Sequence, residues 1–290
     1  MGHVALSAVV VASALTIFSE SAEARRRSGA PAYSPPYASI VVDVKTGKVL
    51  QATNPDAARH PASITKVMTL YMLFEQLERG RYSLQSELRI SGHAARQAPS
   101  KIGLQPGETI SVEDAIKAVV TKSANDIAAA IGENIAGSEE RFAELMTQRA
   151  RSIGMKSTTF VNASGLPDPE QITTARDLAL LGRAIQDRFP KYYHFFGTRV
   201  FNYDGASYRN HNKLLGRVEG VDGIKTGYTR ASGFNLLTSA KDDGRQVIAV
   251  VLGGRSGRAR DAQVASLVEE HLPRAFAGAR QAPRVVDVAA

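Results

Sequence analysis

Residues 63–77 read SITKVMTLYMLFEQL. Hydrophobic side chains cover most faces of a helix over this stretch and leave little polar surface. A helix of this kind is normally buried at the centre of a domain. The sequence therefore predicts a central buried helix that begins at Ser63, with the remaining elements packed around it.

The segments on either side of this helix predict an α+β protein. A β-hairpin is expected over Ala38 to Leu50, with Lys45-Thr46-Gly47 as its turn. The hydrophobic periodicity predicts helices at 111–120, 126–135, 138–153, 175–186 and 261–271, and strands at 199–203, 208–210, 235–239 and 246–252. This order predicts a single sheet that is assembled from both ends of the chain, with a helical insertion between them.

Both ends of the chain differ in composition from the part between them. Val4 to Phe18 is apolar and Ala22-Glu23-Ala24 follows, which predicts a secretory signal peptide over residues 1–24 rather than a buried N-terminal helix. Residues 25–36 are basic and proline-rich, and are predicted to be a disordered linker. Residues 273–290, rich in Ala, Arg and Pro, are predicted to be a disordered tail, so the folded domain is expected at 37–272.

The composition excludes several classes of protein. The 290 residues are 43% hydrophobic, which is enough to bury a sizeable core. Cysteine is absent, so disulfides, cysteine-ligated zinc and iron–sulfur sites are excluded. The formal charge is +8, but arginines in the flanking segments supply part of it, which predicts solvated ends. Because there is no tryptophan and no basic stripe interleaved with aromatic residues, no nucleic-acid partner is expected.

Three short motifs carry the chemistry, and the first is S-x-x-K at residues 63–66. Ser63 and Lys66 are nearly one helical turn apart, so the hydroxyl and the amine lie on one face of the helix. A serine hydroxyl becomes a good nucleophile when a base takes its proton, and a lysine can be that base when burial lowers its pKa. Alone the motif is weak, since Ser63 could be a helix cap and Lys66 a solvated lysine.

The second motif is Ser123-Ala124-Asn125, between two predicted helices, where a loop can direct both polar side chains into a cleft. A serine near a lysine can relay a proton to a leaving amine. An asparagine amide can both donate to and accept from a substrate peptide. Taken alone, this motif is more simply a helix cap.

The third motif is Lys225-Thr226-Gly227, in a region with strand character. A lysine and a threonine hydroxyl can hold a carboxylate there, and a glycine lets a substrate backbone approach closely. The same three letters occur at 45–47. We exclude that copy because it precedes Ser63 and forms the turn between two short strands.

In this order the three motifs resemble the signature set of penicillin-binding proteins and serine β-lactamases. The residues that flank them, together with Asn-Ala-Ser-Gly-Leu-Pro at 162–167 and Thr-Ala-Arg-Asp-Leu-Ala at 174–179, narrow the resemblance. Over residues 37–272 the chain resembles the low-molecular-mass, serine-type D-alanyl-D-alanine carboxypeptidases. The resemblance implies a β-lactamase/transpeptidase-like fold, in which an antiparallel sheet is flanked by helices and carries a helical subdomain.

The resemblance also implies an activity and roles for residues. The activity is removal of the terminal D-alanine from peptidoglycan pentapeptides through an acyl-enzyme, with β-lactams as covalent inhibitors. By position, Ser63 would be the nucleophile, Lys66 the general base and Ser123 a proton relay. The backbone N–H groups of Ser63 and Tyr228 would form the oxyanion hole. No metal or organic cofactor is implied. The remaining residues would hold the stem peptide and its carboxylate: Asn125, Lys225, Thr226, Gly227 and Arg260.

Some alternatives stay open at this stage. An endopeptidase that cuts peptidoglycan cross-links would use the same residues. A β-lactamase is disfavoured because Glu170 is followed by Thr174 at the spacing where class A enzymes have asparagine, and a non-catalytic wall-binding protein is disfavoured because all three motifs are intact. The signal peptide predicts export to the periplasm, and the tail lacks the periodicity of a membrane anchor. His211 is expected to line the cleft or serve the structure.

Overall fold

The structure is a computed structural model, and it describes residues 1–2 and 34–285. The predicted signal peptide beyond its first two residues, and the predicted linker up to residue 33, lie outside the described residues. Pro35 and Pro36, at the end of that linker, are described and lie close to the backbone at Gly233 and Gly253.

The described part of the chain alternates helices and strands as follows. The helices are α1 (Thr65–Glu78), α2 (Gly92–Ala95), α3 (Val112–Thr121), α4 (Asn125–Ala136), α5 (Glu139–Ser152), α6 (Ala175–Arg188), α7 (Pro190–Tyr193) and α8 (Gly257–His271). The strands are β1 (Ala38–Asp43), β2 (Val49–Thr53), β3 (Glu87–Arg89), β4 (Thr109–Ser111), β5 (Val200–Tyr203), β6 (Ala206–Arg209), β7 (Val221–Thr229), β8 (Gly233–Asp242) and β9 (Arg245–Gly254). Short 3₁₀ helices span Ala62–Ile64, His194–Gly197 and Leu272–Arg274.

The main sheet has five antiparallel strands in the order β2-β1-β9-β8-β7, so both ends of the chain contribute to it as predicted. Its central strands are apolar on both faces because both faces are covered. Ile40 and Val250, which are register partners, belong to the core on the side of the helical insertion. Val41 and its partner Ala249 belong to the smaller core beneath α8. This alternation follows from the period of two in a strand.

Helix α1 is the central element, which confirms the prediction from residues 63–77. Its residues from Thr65 to Leu77 are all buried, including the aromatic rings of Tyr71 and Phe74. Both rings pack against Phe189, at centroid distances of 4.8 and 5.7 Å. Full burial of side chains this size contributes about 1.5–3 kcal/mol each, so α1 is held rigidly and the residues at its start share that rigidity.

The predicted strands near 199–203 and 208–210 exist, but they do not join the main sheet. As β5 and β6 they form a separate two-stranded sheet that packs near α3. They are only four residues each, and their alternate side chains face solvent, while Phe201 is buried in the main core. The short elements β3, β4, α2 and α7 were not predicted, because three or four residues are too few to show a period.

The prediction of a disordered tail from residue 273 is wrong for the residues up to 285. The Phe276 N–H donates to Asp43 at 2.8 Å. Arg280 forms a two-pronged ion pair with Asp187, at 2.6 and 2.7 Å. These partners lie far away in sequence, so local composition could not show them. Within the described ranges, no helix is both long and apolar enough to cross a membrane.

Candidate active site

Ser63 lies in the 3₁₀ turn Ala62–Ile64 that leads directly into α1. The Lys66 ammonium nitrogen is 3.2 Å from Ser63 Oγ, as the one-turn spacing predicts. Because Ser63 lies in the turn that leads into the buried helix α1, and Lys66 lies in that helix, packing of the helix holds the hydroxyl and the amine close together. The contact distance is right for direct proton transfer between the two groups.

Lys66 has no solvent-exposed surface. Its Nζ donates to Asn125 Oδ1 at 2.6 Å and to the Ser164 carbonyl at 2.5 Å. Burial holds the pKa of Lys66 well below its usual value, and the positive charge of Lys225 lowers it further. Asp126 and Glu139 oppose this shift. The net lowering of the pKa increases the share of the neutral amine, which is the form that can accept a proton.

Ser123 and Asn125 lie where α3 ends and α4 begins. Ser123 has a φ of +60°, which is uncommon for a residue with a side chain and is often found at functional sites. Its hydroxyl is buried and makes no hydrogen bond within residues 34–285. Asn125 bridges the cleft base, because its Nδ2 donates to the Ala98 carbonyl at 2.8 Å while its Oδ1 accepts from Lys66.

The triplet at residues 225–227 lies in the middle of β7, at the edge of the main sheet. Lys225 is buried, and its pKa is lowered to about 7 by burial and by the neighbouring charge of Arg260. A Cβ atom on Gly227 would lie 2.9 Å from the Pro61 carbonyl oxygen and 3.1 Å from the Ser63 nitrogen. The glycine therefore lets β7 run directly beside the nucleophile's backbone.

Tyr228 and Arg260 continue this wall of the cleft. The Tyr228 ring is 56% exposed and stacks on Phe234 at a centroid distance of 4.2 Å. Arg260, on α8, is buried and donates to the Asn235 carbonyl at 2.5 Å and to Asp261 at 2.8 Å. Asn235 also binds the turn before Ser63, since its Nδ2 donates to the His60 carbonyl at 3.0 Å. Asn235 therefore links α8, the sheet and the turn that carries the nucleophile. It was not among the residues predicted from the sequence.

These walls enclose a cleft of about 370 Å³. Its lining includes seven of the nine predicted site residues, namely Ser63, Ser123, Asn125, Thr226, Gly227, Tyr228 and Arg260, while Lys66 and Lys225 lie buried behind it. His211 also lines the cleft. Partial burial and then the charges of Lys225 and Lys213 lower the pKa of His211 to about 4. More than a third of this residue is exposed, so burial acts less on it than on an enclosed histidine.

The loop at residues 162–167 completes the site in a way that the sequence motif alone did not explain. Asn162 Oδ1 accepts from the Gly165 N–H at 2.7 Å, which curls the loop tightly. The Ala163 carbonyl accepts from the Thr69 hydroxyl at 2.6 Å. The loop thereby presents the Ser164 carbonyl to Lys66. A backbone carbonyl has no side-chain signature, so this third contact of Lys66 could be found only from the structure. Within residues 34–285, no group of three or more His, Asp or Glu side chains is arranged to hold a metal ion.

The chain is similar to a known protein family and to several individual proteins. Residues 30–256 match the family model described as D-alanyl-D-alanine carboxypeptidase. The chain is 34% identical over 272 residues to the D-alanyl-D-alanine carboxypeptidase DacF of Bacillus subtilis, covering 91% of this chain and 69% of the relative. It is 37% identical to DacC of Escherichia coli over 228 residues, covering 76% of this chain and 57% of the relative. The D-alanyl-D-alanine endopeptidase of Escherichia coli is 29% identical, covering 81% of this chain and 77% of that protein.

Solved structures give the same answer for the fold. Penicillin-binding protein 5 from Haemophilus influenzae superimposes with a TM-score of 0.79 at 31% identity, covering 84% of this chain and 72% of that one. Penicillin-binding protein D2 from Listeria monocytogenes in the ampicillin-bound form has a TM-score of 0.73 at 31% identity, covering 80% of this chain and 95% of that one. The fold is thus that of the penicillin-binding proteins. The chain belongs to the D-alanyl-D-alanine carboxypeptidase family.

Proposed function

We propose that this protein is a serine-type D-alanyl-D-alanine carboxypeptidase that removes the terminal D-alanine of peptidoglycan pentapeptides. One observation supports the proposal above all others. The amine of Lys66 is fully buried, 3.2 Å from Ser63 Oγ, behind a cleft that is lined by Ser63 and Thr226, and Lys225 is also buried behind this cleft. Since the chain spans only 57–69% of the carboxypeptidases compared above, their activity is carried over here as a proposal.

Acylation begins with proton transfer from Ser63 to the neutral amine of Lys66. The Ser63 oxygen attacks the carbonyl carbon between the two terminal D-alanines, and the carbonyl oxygen becomes an oxyanion. The backbone N–H groups of Ser63 and Tyr228 would stabilise that charge. Support for this arrangement comes from Gly227, whose lack of a side chain allows β7 to lie beside the Ser63 nitrogen.

Collapse of the intermediate releases D-alanine and leaves an ester on Ser63. The leaving nitrogen needs a proton, which Ser123 would relay from Lys66. The buried, unpartnered hydroxyl of Ser123 is suited to this task because no contact within residues 34–285 competes for it. Water then attacks the ester, Lys66 takes its proton, and the tetrapeptide product leaves with Ser63 regenerated.

Substrate recognition follows from the charges along the cleft. Lys225, the Thr226 hydroxyl and Arg260 would hold the terminal carboxylate, the one negative charge that every such peptide carries at its end. Burial strengthens each of these contacts because little water competes with the substrate. Asn125 would orient the peptide through its amide, while its Oδ1 holds Lys66 in place.

β-Lactams would acylate the same serine, because they present a strained amide and a carboxylate to the same groups. The related Listeria protein was crystallised in ampicillin-bound and cefotaxime-bound forms. Efficient hydrolysis of these drugs is not expected here. Glu170, the residue considered for water activation, is exposed and does not line the cleft.

We also propose that the protein is exported to the periplasm. The support is the signal-peptide pattern at residues 1–24 and the substrate, which lies outside the cytoplasm. The folded domain is proposed to span residues 37–272, with the segment up to 285 packed against it. Fractionation of native cells would test the location, and recovery of the protein in the cytoplasmic fraction would overturn it.

The activity is tested by digesting purified muropeptides with the wild type and with Ser63→Ala. Release of free D-alanine from pentapeptides by the wild type alone is the expected result. Loss of cross-linked dimers without free D-alanine would replace the carboxypeptidase with the endopeptidase. Absence of both products would overturn the enzymatic proposal.

A further inference from the structure

Two buried acidic side chains act on Lys66. One is Asp126, and the other is Glu139, the first residue of α5. It is 6% exposed, although glutamate at the start of a helix normally faces solvent. Its Oε1 accepts from the Ala163 N–H at 3.0 Å. Its Oε2 accepts from His93 Nε2 at 2.5 Å and from Gln97 at 3.2 Å. Both carboxylate oxygens therefore accept hydrogen bonds from other residues of the protein.

A continuous set of contacts runs from this carboxylate to the active-site lysine. Glu139 holds the N–H of Ala163, and Thr69 holds the carbonyl of the same residue. The next carbonyl along the chain, that of Ser164, accepts from Lys66. Residue 163 is thus held on both sides of its α-carbon, which helps to position the adjacent Ser164 carbonyl toward the amine.

We propose that Glu139, supported by His93, is a positioning residue for Lys66. It anchors the loop that carries the Ser164 carbonyl, and its negative charge adjusts how strongly the amine holds a proton. The inference rests on the proposed function because it takes Lys66 as the base that activates Ser63. Neither Glu139 nor His93 lines the cleft, so they act through Lys66 and not on the substrate.

The charges around the two groups set the direction of the effect. Lys66 faces Lys225 from β7, Asp126 from α4 and Glu139 from α5. Burial and Lys225 lower the pKa of Lys66, whereas Asp126 and Glu139 raise it. The hydrogen bond to Glu139 raises the pKa of His93, and Glu133 and Glu140 act in the same direction. Removing the charge of Glu139 should therefore lower the pKa of Lys66 further.

Two variants separate positioning from charge. In Glu139→Gln the amide oxygen can still accept from Ala163, but the negative charge is gone. In Glu139→Ala both the anchor and the charge are lost. Glu140→Gln is the matched control, since Glu140 is the adjacent acid in the first turn of α5 and is exposed. His93→Ala should have a smaller effect than Glu139→Ala, because Gln97 still donates to the carboxylate.

The experiment measures the second-order rate of Ser63 acylation by a fluorescent penicillin between pH 4 and 9, with the folded state of each variant checked by thermal unfolding. We expect Glu139→Ala to be acylated about tenfold more slowly at the pH where each enzyme is fastest, since misplacing a catalytic group costs rate. We expect the acid limb of Glu139→Gln to move to lower pH, because the negative charge that favours the protonated amine of Lys66 is gone. Glu140→Gln should match the wild type.

Two results would overturn the proposal: wild-type acylation by Glu139→Ala, or an unmoved acid limb in Glu139→Gln. The second would leave Glu139 with a purely structural role. If Glu139→Ala does not fold, the proposal is tested by the acid limb of the pH profile of Glu139→Gln alone. Failure of the wild type itself to be acylated would instead count against the proposed function, so the two failures are distinguishable.

Discussion

The chain carries Lys-Thr-Gly twice, at 45–47 and at 225–227. The two copies differ in secondary structure and in the burial of their lysine. At 45–47 the triplet is the turn between β1 and β2, where Gly47 has a φ of +73° and Lys45 donates to the carbonyls of Ala277 and Gly278 at the surface. At 225–227 it lies inside β7, with its lysine buried.

The difference shows what gives the second triplet its capacity for chemistry. Lys45 meets neutral carbonyls beside solvent, so it serves to hold the end of the chain. Lys225 lies behind the cleft with Arg260 nearby, and burial lowers its pKa to about 7. The same Lys-Thr-Gly triplet therefore holds the end of the chain in one place and forms part of a candidate anion site in the other. Burial and neighbouring charge determine which role each triplet has.

The largest effect is expected from Lys225→Ala. Loss of a buried cation that pairs with the substrate carboxylate should lower kcat/KM for pentapeptide by about 10- to 150-fold, because hydrogen bonds to charged groups contribute roughly 1.5–3 kcal/mol each. Lys45→Ala is the matched control and should keep wild-type activity. Release of D-alanine measures both, and equal activity of the two variants would remove the distinction between the triplets.

Smaller effects are expected from substitution of the glycine in each triplet. One substitution should slow acylation, and the other should lower stability. Gly227→Ala places a methyl group against the Pro61 carbonyl and the Ser63 nitrogen, so acylation should slow about tenfold as β7 is pushed away. Gly47→Ala strains a left-handed turn and should lower the free energy of unfolding by about 1 kcal/mol without slowing acylation. Penicillin acylation rates and urea unfolding test the pair, and a slow Gly47→Ala would contradict it.

The pH dependence should separate the triplets further. The pKa of Lys225 is lowered to about 7, so in the free enzyme its charge is present below that pH and is lost above it. The kcat/KM for a peptide with a free carboxylate should therefore fall above about pH 7, by up to tenfold per pH unit. Lys225→Arg should move this alkaline limb to higher pH, whereas Lys45→Arg should leave it in place. An alkaline limb that ignores Lys225→Arg would contradict this assignment.

The smallest effect on activity is expected for substitutions beside the first triplet, which should alter stability alone. The Lys45 carbonyl accepts from the N–H groups of Gln281 and Ala282, next to the Arg280–Asp187 ion pair. Arg280→Ala leaves the buried Asp187 carboxylate with one partner fewer and should cost about 1–3 kcal/mol of stability. Arg274→Ala removes an exposed pair with Glu270 and should cost no more than about 0.5 kcal/mol. Neither should alter acylation, and equal unfolding midpoints would argue against docking of the tail.

The sequence predicted the features that depend on local pattern or on side-chain identity. The periodicity of residues 63–77 predicted the central helix, and the order of three motifs predicted which side chains meet at the cleft. The contacts that complete the site are different in kind. The Ser164 carbonyl, the Glu139 anchor and the Asn235 link each join segments far apart in sequence through backbone atoms. The tail was misjudged for the same reason, since Asp43 and Asp187 order it from a distance.

Ser63, activated by the buried Lys66, is expected to be the acylated residue. Intact mass measurement after incubation with benzylpenicillin, followed by peptide mapping, identifies the acylated residue. We expect one adduct per chain on the peptide containing Ser63, no adduct in Ser63→Ala, and much slower labelling of Lys66→Ala. An adduct on another residue, or unchanged labelling of Lys66→Ala, would contradict it.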